Sequence, residues 1–147
     1  DNRVSWTMKS YLVRVPTEHI ESVWVRILPH LLNGKEHWEQ FYSSEDIKDN
    51  LTNGTQQLWI MVEGEHSVIG CVLAQIDTFP TQVVLRIFFL GGKGFKRGMF
   101  TEIKRIESWA KQRNVTLIDF LGRDEWFPLL KGIGYYTPGR LYRKELV

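Results

Sequence analysis

Residues 82–113, QVVLRIFFLGGKGFKRGMFTEIKRIESWAKQR, narrow the fold more than any other stretch of the chain. Val83 to Leu90 is an apolar run broken only by Arg86, the length and character of a strand. It runs into a glycine-rich basic turn, Gly91-Gly92-Lys93-Gly94-Phe95-Lys96-Arg97-Gly98. Met99, Ile103, Ile106 and Ala110 then recur at i, i+4, i+7 and i+11, the spacing of one helix face. A strand, a glycine turn and a helix in that order aim backbone N–H groups at an anion. The unpaired N–H groups of the first helical turn and the positive end of the helix dipole both favour a phosphate there, as do nearby Lys and Arg. The plainer reading is a strand-to-helix connection carrying solubilising charge, and spacing alone does not separate the two.

The chain has 147 residues, a single-domain length, with 43% hydrophobic and 24% charged residues, ordinary for a soluble globular protein. Aromatic residues make up 13%, including six Trp, which predicts a core of large rings or an aromatic-lined groove. A net charge of +2 says little about nucleic acid. A basic stripe of Lys93, Lys96, Arg97, Lys104, Arg105, Lys111 and Arg113 is interrupted by Glu102 and Glu107, which argues against that partner. Cys71 is the one cysteine and sits in an apolar run, so it reads as a buried structural thiol. His19, His30 and His37 have no metal-ligand spacing, and no metal is expected. With no transmembrane-length run and no signal-peptide layout, the composition predicts a cytoplasmic protein with no membrane partner.

Read in order, residues 1–9 form an N-terminal arm and Tyr11–Val15 a strand closed by Pro16. Thr17 is the expected cap of a helix from Glu18 with Ile20, Val23, Trp24, Ile27 and Leu28 on one stripe. Pro29 should end or kink that helix, with one more turn before Asn33-Gly34. Residues 35–42 fit either a short helix or a loop. Ser43 with Asp46 resembles a capping box for a second helix reaching Asn53-Gly54. Gln57–Val62 and Val68–Ile76 form a hairpin, and Val115–Leu121 is apolar enough to be a central strand. A short helix over Asp124–Lys131 and a closing hairpin of Tyr135-Tyr136 with Leu141–Leu146 complete an α+β domain spanning 1–147.

This element order, with the glycine turn between the fourth strand and the third long helix, resembles the GNAT N-acyltransferase superfamily over roughly residues 10–146. The basic turn stands where that family holds the pyrophosphate of acetyl-CoA, and Leu129-Leu130-Lys131-Gly132-Ile133-Gly134-Tyr135 resembles its late helix-to-strand signature. The resemblance implies a mixed central sheet flanked by helices, with acetyl-CoA as co-substrate. The backbone of Phe88, Phe89 and Leu90 would face the pantetheine, and Lys93, Gly94, Phe95, Lys96, Arg97 and Gly98 the pyrophosphate. The sequence also departs from the family pattern. Phe95 intrudes on the glycine spacing, Leu130 occupies the position of a frequent general-acid tyrosine, and residues 83–90 lack the carboxylate often used as a base. Gly91-Gly92, Ile106-Glu107-Ser108-Trp109-Ala110, Gly122-Arg123-Asp124-Glu125-Trp126 and Leu141-Tyr142-Arg143-Lys144-Glu145-Leu146 resemble bacteriophage-encoded GNAT-like proteins, for which the compartment would be the host cytoplasm.

The implied reaction is direct attack by an amine of a small molecule or a protein on the thioester. It requires a base for the amine proton and an acid for the leaving thiolate. Asp77 is the candidate base, although Asp followed by Thr and, after Phe79, by Pro80 is also turn chemistry. Tyr135 or Tyr136 is the candidate acid, with edge-strand packing the alternative. Arg123 and Trp126 read as a contact at the start of the last helix and a core ring. Arg86 either faces solvent or pairs with a carboxylate. Acceptor-site residues are expected within 30–45 and 135–140. The competing class is a catalytically degenerate GNAT-fold interaction or virion-associated protein. Nothing in the sequence fixes the oligomeric state.

Overall fold

The computed structural model describes residues 9–92 and 99–146. The core of the fold is a five-stranded sheet in the order β1-β2-β3-β4-β5. Its strands are β1 (Ser10–Val15), β2 (Gln56–Glu63), β3 (Ser67–Thr78), β4 (Val83–Gly92) and β5 (Leu117–Phe120). β1 to β4 pair antiparallel with their neighbours, and β5 joins β4 in parallel. The helices are α1 (Ile20–Asn33), α2 (Ser44–Thr52), α3 (Met99–Lys111) and α4 (Phe127–Gly132).

Alternation along the strands divides the interior into two cores. Leu58, Cys71 and Leu73 point to the α1 and α2 side, where Ile20, Trp24, Ile27, Leu31, Ile47 and Leu51 close over them. Trp59, Val72 and Ala74 point the other way, to Ile106 and Ala110 of α3. Phe100, Ile103 and Leu130 join α3 to α4. The period of the α3 stripe thus buries the predicted residues Ile103, Ile106 and Ala110. Cys71 is fully buried, and that burial pushes its thiol up to about 12, which makes it inert.

β4 carries the irregularity that shapes the molecule. Leu73 pairs with Phe89 but Ala74 with Ile87, so Phe88 is an extra residue in the strand, a β-bulge. The bulge reverses the alternation. Ile87 and Leu90 both enter the α3 core, while Phe89 turns into the α1 core.

Several local expectations hold. Ser43 and Asp46 form the full capping box, with Asp46 N donating to Ser43 Oγ at 3.0 Å and Ser43 N to Asp46 Oδ2 at 2.8 Å. Residues 35–42 are a 3-10 turn, Lys35–His37, followed by further turns, with Trp38 buried and donating its indole N–H to the Leu31 carbonyl at 2.9 Å.

Others are corrected. Thr17 does not cap a helix: Thr17–His19 is a 3-10 turn, α1 begins at Ile20, and the Thr17 hydroxyl donates to the Glu18 carboxylate instead. Of the two outcomes expected at Pro29, an end is excluded, since α1 runs on through the further turn and stops at Asn33-Gly34 as expected. The acceptor deprived of its partner by Pro29 is the carbonyl of Val25, a residue 80% exposed, where water can replace the lost hydrogen bond. β5 is not central but the edge of the sheet, with alternating exposure rather than burial on both faces. Tyr135–Leu146 contains no strand, so the predicted closing hairpin is absent; these residues extend over the surface, paired with no strand of the sheet.

Gly91 and Gly92, expected in the turn, are the last two residues of β4, opposite Cys71 and Gly70. They are required there by close approach. A Cβ on Gly91 would meet the Phe89 ring and stand 2.6 Å from the His30 carbonyl of α1. Gly92 has φ +116° and its Cβ would strike the Ile69–Gly70 backbone. We expect Gly91→Ala to lower unfolding free energy by about 1–3 kcal/mol through overpacking. Gly132→Ala, with nothing within 4 Å of the added methyl, should leave it unchanged or slightly raised. Urea denaturation of the two variants beside the unaltered chain tests both.

Candidate functional site

Pairing between β4 and β5 stops early. The ladder runs from Val84 opposite Leu117 to Ile87 opposite Phe120, and its last bond is Leu121 N to the Ile87 carbonyl at 2.9 Å. β4 continues for five more residues, Phe88 to Gly92, held on its other side by β3. The two parallel strands therefore part at the bulge. Among the described residues, Phe88, Phe89 and Leu90 have no strand partner on the β5 side, a backbone edge that could bond a ligand.

The parting opens a cleft of about 450 Å³. One wall is Phe88–Leu90, the other Leu121–Asp124 with Trp126, and Glu36, His37, Gln40, Phe41 and Arg143 complete the lining. Both walls are fixed. Phe89 and Leu90 are anchored in opposite cores, and Trp126 makes edge contacts with Phe100 (6.2 Å) and Phe120 (6.1 Å). At the rim, Arg143 donates to Gln40 Oε1 (3.4 Å) and lies 5.2 Å over Phe41, while Arg123 lies 5.5 Å over Trp126 and 3.5 Å from Glu125. His37 Nε2 is 3.6 Å from Glu36 Oε1, with both side chains largely in solvent.

The predicted site residues separate into three places. Phe88, Phe89 and Leu90 line the cleft. Lys93, Gly94, Phe95, Lys96, Arg97 and Gly98 lie outside the described residues, in the connection that leaves β4 at Gly92 and reaches α3 at Met99. Asp77 and Tyr135 line neither wall. Asp77 pairs with Val84 near the far end of β4, where Arg86 Nη2 is 3.3 Å away and Gln75 donates at 3.0 Å. The carboxylate partner left open for Arg86 is thus Asp77. Tyr135 donates its hydroxyl to Glu107 Oε2 of α3 at 2.9 Å and packs edge-on against Phe120. Burial, then Glu107, pushes its phenol well above the usual range, so it holds its proton.

The side chains not singled out in the sequence are Glu36, His37, Gln40, Phe41, Asp124 and Arg143. Residues 35–42 fell within the expected acceptor region, whereas Arg143 lies outside both expected acceptor regions and is brought there from 103 positions away. Leu130, at the position of the family's tyrosine, is buried against Phe100 and Ile103.

No protein-family model matches the sequence, and no curated protein matches it. Solved structures do. An aminoglycoside acetyltransferase from an uncultured soil metagenomic sample, in complex with sisomicin, superimposes with a TM-score of 0.70 at 9% identity, covering 99% of both chains. The fold is that of the GNAT acetyltransferases. A GCN5-related N-acetyltransferase from Ralstonia eutropha matches with a TM-score of 0.67 at 13% identity, over 93% of this chain and 99% of its own. A predicted acetyltransferase with acetyl-CoA from Clostridium acetobutylicum matches at 0.60 and 17% identity, over 93% and 96%. The expected GNAT architecture is therefore present across nearly the whole chain, although its last strands are not. Among the described residues no helix is long and apolar enough to cross a membrane.

Tyr135 yields a stability test with a definite sign. Its phenol has a higher pKa folded than unfolded, so its contribution is complete below about pH 10 and is lost as pH rises toward the folded value. We expect Tyr135→Phe to lower stability at pH 8 by about 1.5–3 kcal/mol, the worth of one hydrogen bond to a charged acceptor. The gap to the unaltered protein should narrow between about pH 10 and 11. Chemical denaturation across that range checks it, and a gap that widens with pH would contradict the assignment.

Proposed function

We propose that the protein is an acetyl-CoA-dependent N-acetyltransferase acting on an amine of a small molecule or protein. The observation that supports this best is the parting of β4 from β5 at Ile87. It leaves the Phe88–Leu90 main chain unpaired with β5 along one wall of a cleft, directly before the basic glycine connection.

The residues fit the cofactor. An extended, amide-bearing pantetheine arm matches a strand edge with unpaired main-chain groups and apolar side chains of Phe88 and Leu90. The sequence Lys93–Gly98 supplies three cations and two glycines for a pyrophosphate. When bound, acetyl-CoA supplies an acetyl group activated as a thioester. Main-chain N–H groups on the β5 side of Phe88–Leu90 would bind and orient that group and favour charge on its carbonyl oxygen. Glu36 at the rim and Asp124 in the facing wall would attract a cationic amine, and His37, set beside Glu36, would accept the proton that the amine sheds on attack and return it to the departing thiolate as the C–S bond breaks. Holding the amine against the wall of the cleft contributes through proximity, which needs no nucleophile from the protein.

The soil-sample neighbour is an aminoglycoside acetyltransferase bound to sisomicin, a polyamine class that the two rim carboxylates would also suit. A second reading, a non-catalytic derivative of the fold, is favoured by one feature: no tyrosine or other hydroxyl side chain lines the cleft among the described residues.

Calorimetric titration with acetyl-CoA decides between them. Micromolar binding is expected, weakened about tenfold or more when Lys93, Lys96 and Arg97 are replaced together by alanine, since each charged hydrogen bond contributes roughly 1.5–3 kcal/mol. His37→Gln should retain binding and lower the rate of acetyl transfer. Absence of both heat and thermal shift at millimolar acetyl-CoA rejects the enzyme reading.

A further inference from the structure

Trp109, near the end of α3, has two guanidinium groups against its ring. Arg14 Cζ of β1 lies 5.0 Å from the ring centroid and Arg113 Cζ 4.0 Å. Both are held in place. Arg14 Nη2 donates to Gln57 Oε1 at 2.9 Å, and Gln57 Nε2 in turn donates to the Gly54 carbonyl at 3.0 Å. Arg113 Nη1 donates to the Trp109 carbonyl at 3.2 Å. The ring itself is set edge-on against Trp59 at 5.2 Å, and Trp59 is the residue opposite Arg14 in the sheet.

Two like charges on one ring need a reason. Capping the last carbonyls of α3 accounts for Arg113, but it uses one nitrogen of the fork and leaves Arg14 unexplained. Among the described residues neither guanidinium forms an ion pair with a carboxylate. Glu18, the acidic side chain whose charge reaches Arg14, accepts instead from the Thr17 hydroxyl. Burial first, then the charge of Arg113, lowers the pKa of the half-buried Arg14 from its usual value. Two N–H groups of the cluster, Arg14 Nε and the Trp109 indole, are buried with no hydrogen-bond partner among the described residues. Uncompensated cations beside unsatisfied donors mark a place whose acceptor comes from outside the chain.

We propose that Arg14, Arg113 and the edge of the Trp109 ring form a binding site for a dianionic phosphate group, the terminal phosphate of a small molecule. A dianion neutralises both guanidiniums, whereas a carboxylate or a phosphodiester, with a single charge, leaves one uncompensated. The fork of arginine suits phosphate oxygens, and each guanidinium has N–H groups beyond those bonded within the chain. The site is separate from the proposed cofactor connection. α3 has 13 residues, with residues 93–98 before its start and Trp109–Arg113 at its end. At about 1.5 Å per residue the two ends stand about 20 Å apart.

Titration with inorganic phosphate, at an ionic strength held constant with chloride and followed by tryptophan fluorescence and calorimetry, tests this. Saturable binding with a midpoint at or below about 1 mM is expected. Arg113→Gln, at an exposed position, should weaken it about tenfold or more, the loss of one hydrogen bond between charged groups. Arg14→Met, which keeps an apolar stem against the ring, should do the same. Lys111→Gln removes a neighbouring exposed cation and should leave the affinity unchanged. Replacing Lys93, Lys96 and Arg97 together by alanine should also leave it unchanged. Binding that is lost in that triple variant but kept in Arg113→Gln places the phosphate at the cofactor connection and overturns the assignment. Equal effects of phosphate on the unaltered chain and on both arginine variants would mean general salt exclusion, and overturn it too. A single-stranded oligonucleotide that displaces phosphate, with affinity falling steeply as salt rises, would make the pair part of a nucleic-acid surface and reject a small-molecule ligand.

Discussion

The departure of β5 from β4 after Ile87 is the constraint on which the site depends. Parallel strands that pair along their whole length leave no main chain for a ligand. Here the pairing covers four residues, after which β5 turns away through Leu121 and Gly122. What keeps β4 straight without that neighbour is its other side. β3 stays in register with β4 to Gly92, and the bulge at Phe88 sends consecutive side chains into different cores, Phe89 under α1 and Leu90 under α3. An unpaired stretch of backbone held in this way is preorganised: its polar groups point at the cleft without being free to collapse onto another part of the protein. The tight glycines serve the same end. Gly91 lets the end of α1 close on β4, and His30 Nε2 makes a 3.0 Å hydrogen bond with the Val68 carbonyl of β3 just beyond.

Element order and helix stripes were legible because they depend on local periodicity. Ile20, Trp24 and Ile27 on α1, and Ile103, Ile106 and Ala110 on α3, are buried as their spacing requires. The Ser43–Asp46 box was legible for the same reason, being complete within four residues. Gly91 and Gly92 were placed in a turn because a missing side chain carries two meanings. It permits positive φ, and it permits close approach, and only the neighbours, here His30 and Ile69–Gly70, tell which applies. β5 was misplaced for a related reason. An apolar run records how much of a strand is covered, not whether a strand or a helix does the covering, and Ile118 and Phe120 are covered by α3 and its contacts while the outer edge has none.

The candidate site divides along the same line. Phe88–Leu90 was expected from the resemblance to the GNAT fold, whereas the pattern of strand, glycine turn and helix by itself pointed to residues 91–98. The side chains around the cleft were not singled out, because they come from the 35–42 turns, from the segment after β5 and from the far end of the chain. Asp77 and Tyr135 were attractive as isolated titratable residues. In the fold each is consumed by a specific partner, Arg86 and Glu107 respectively, and neither lines the cleft. A carboxylate or phenol in a suggestive position is weak evidence until its partner is known.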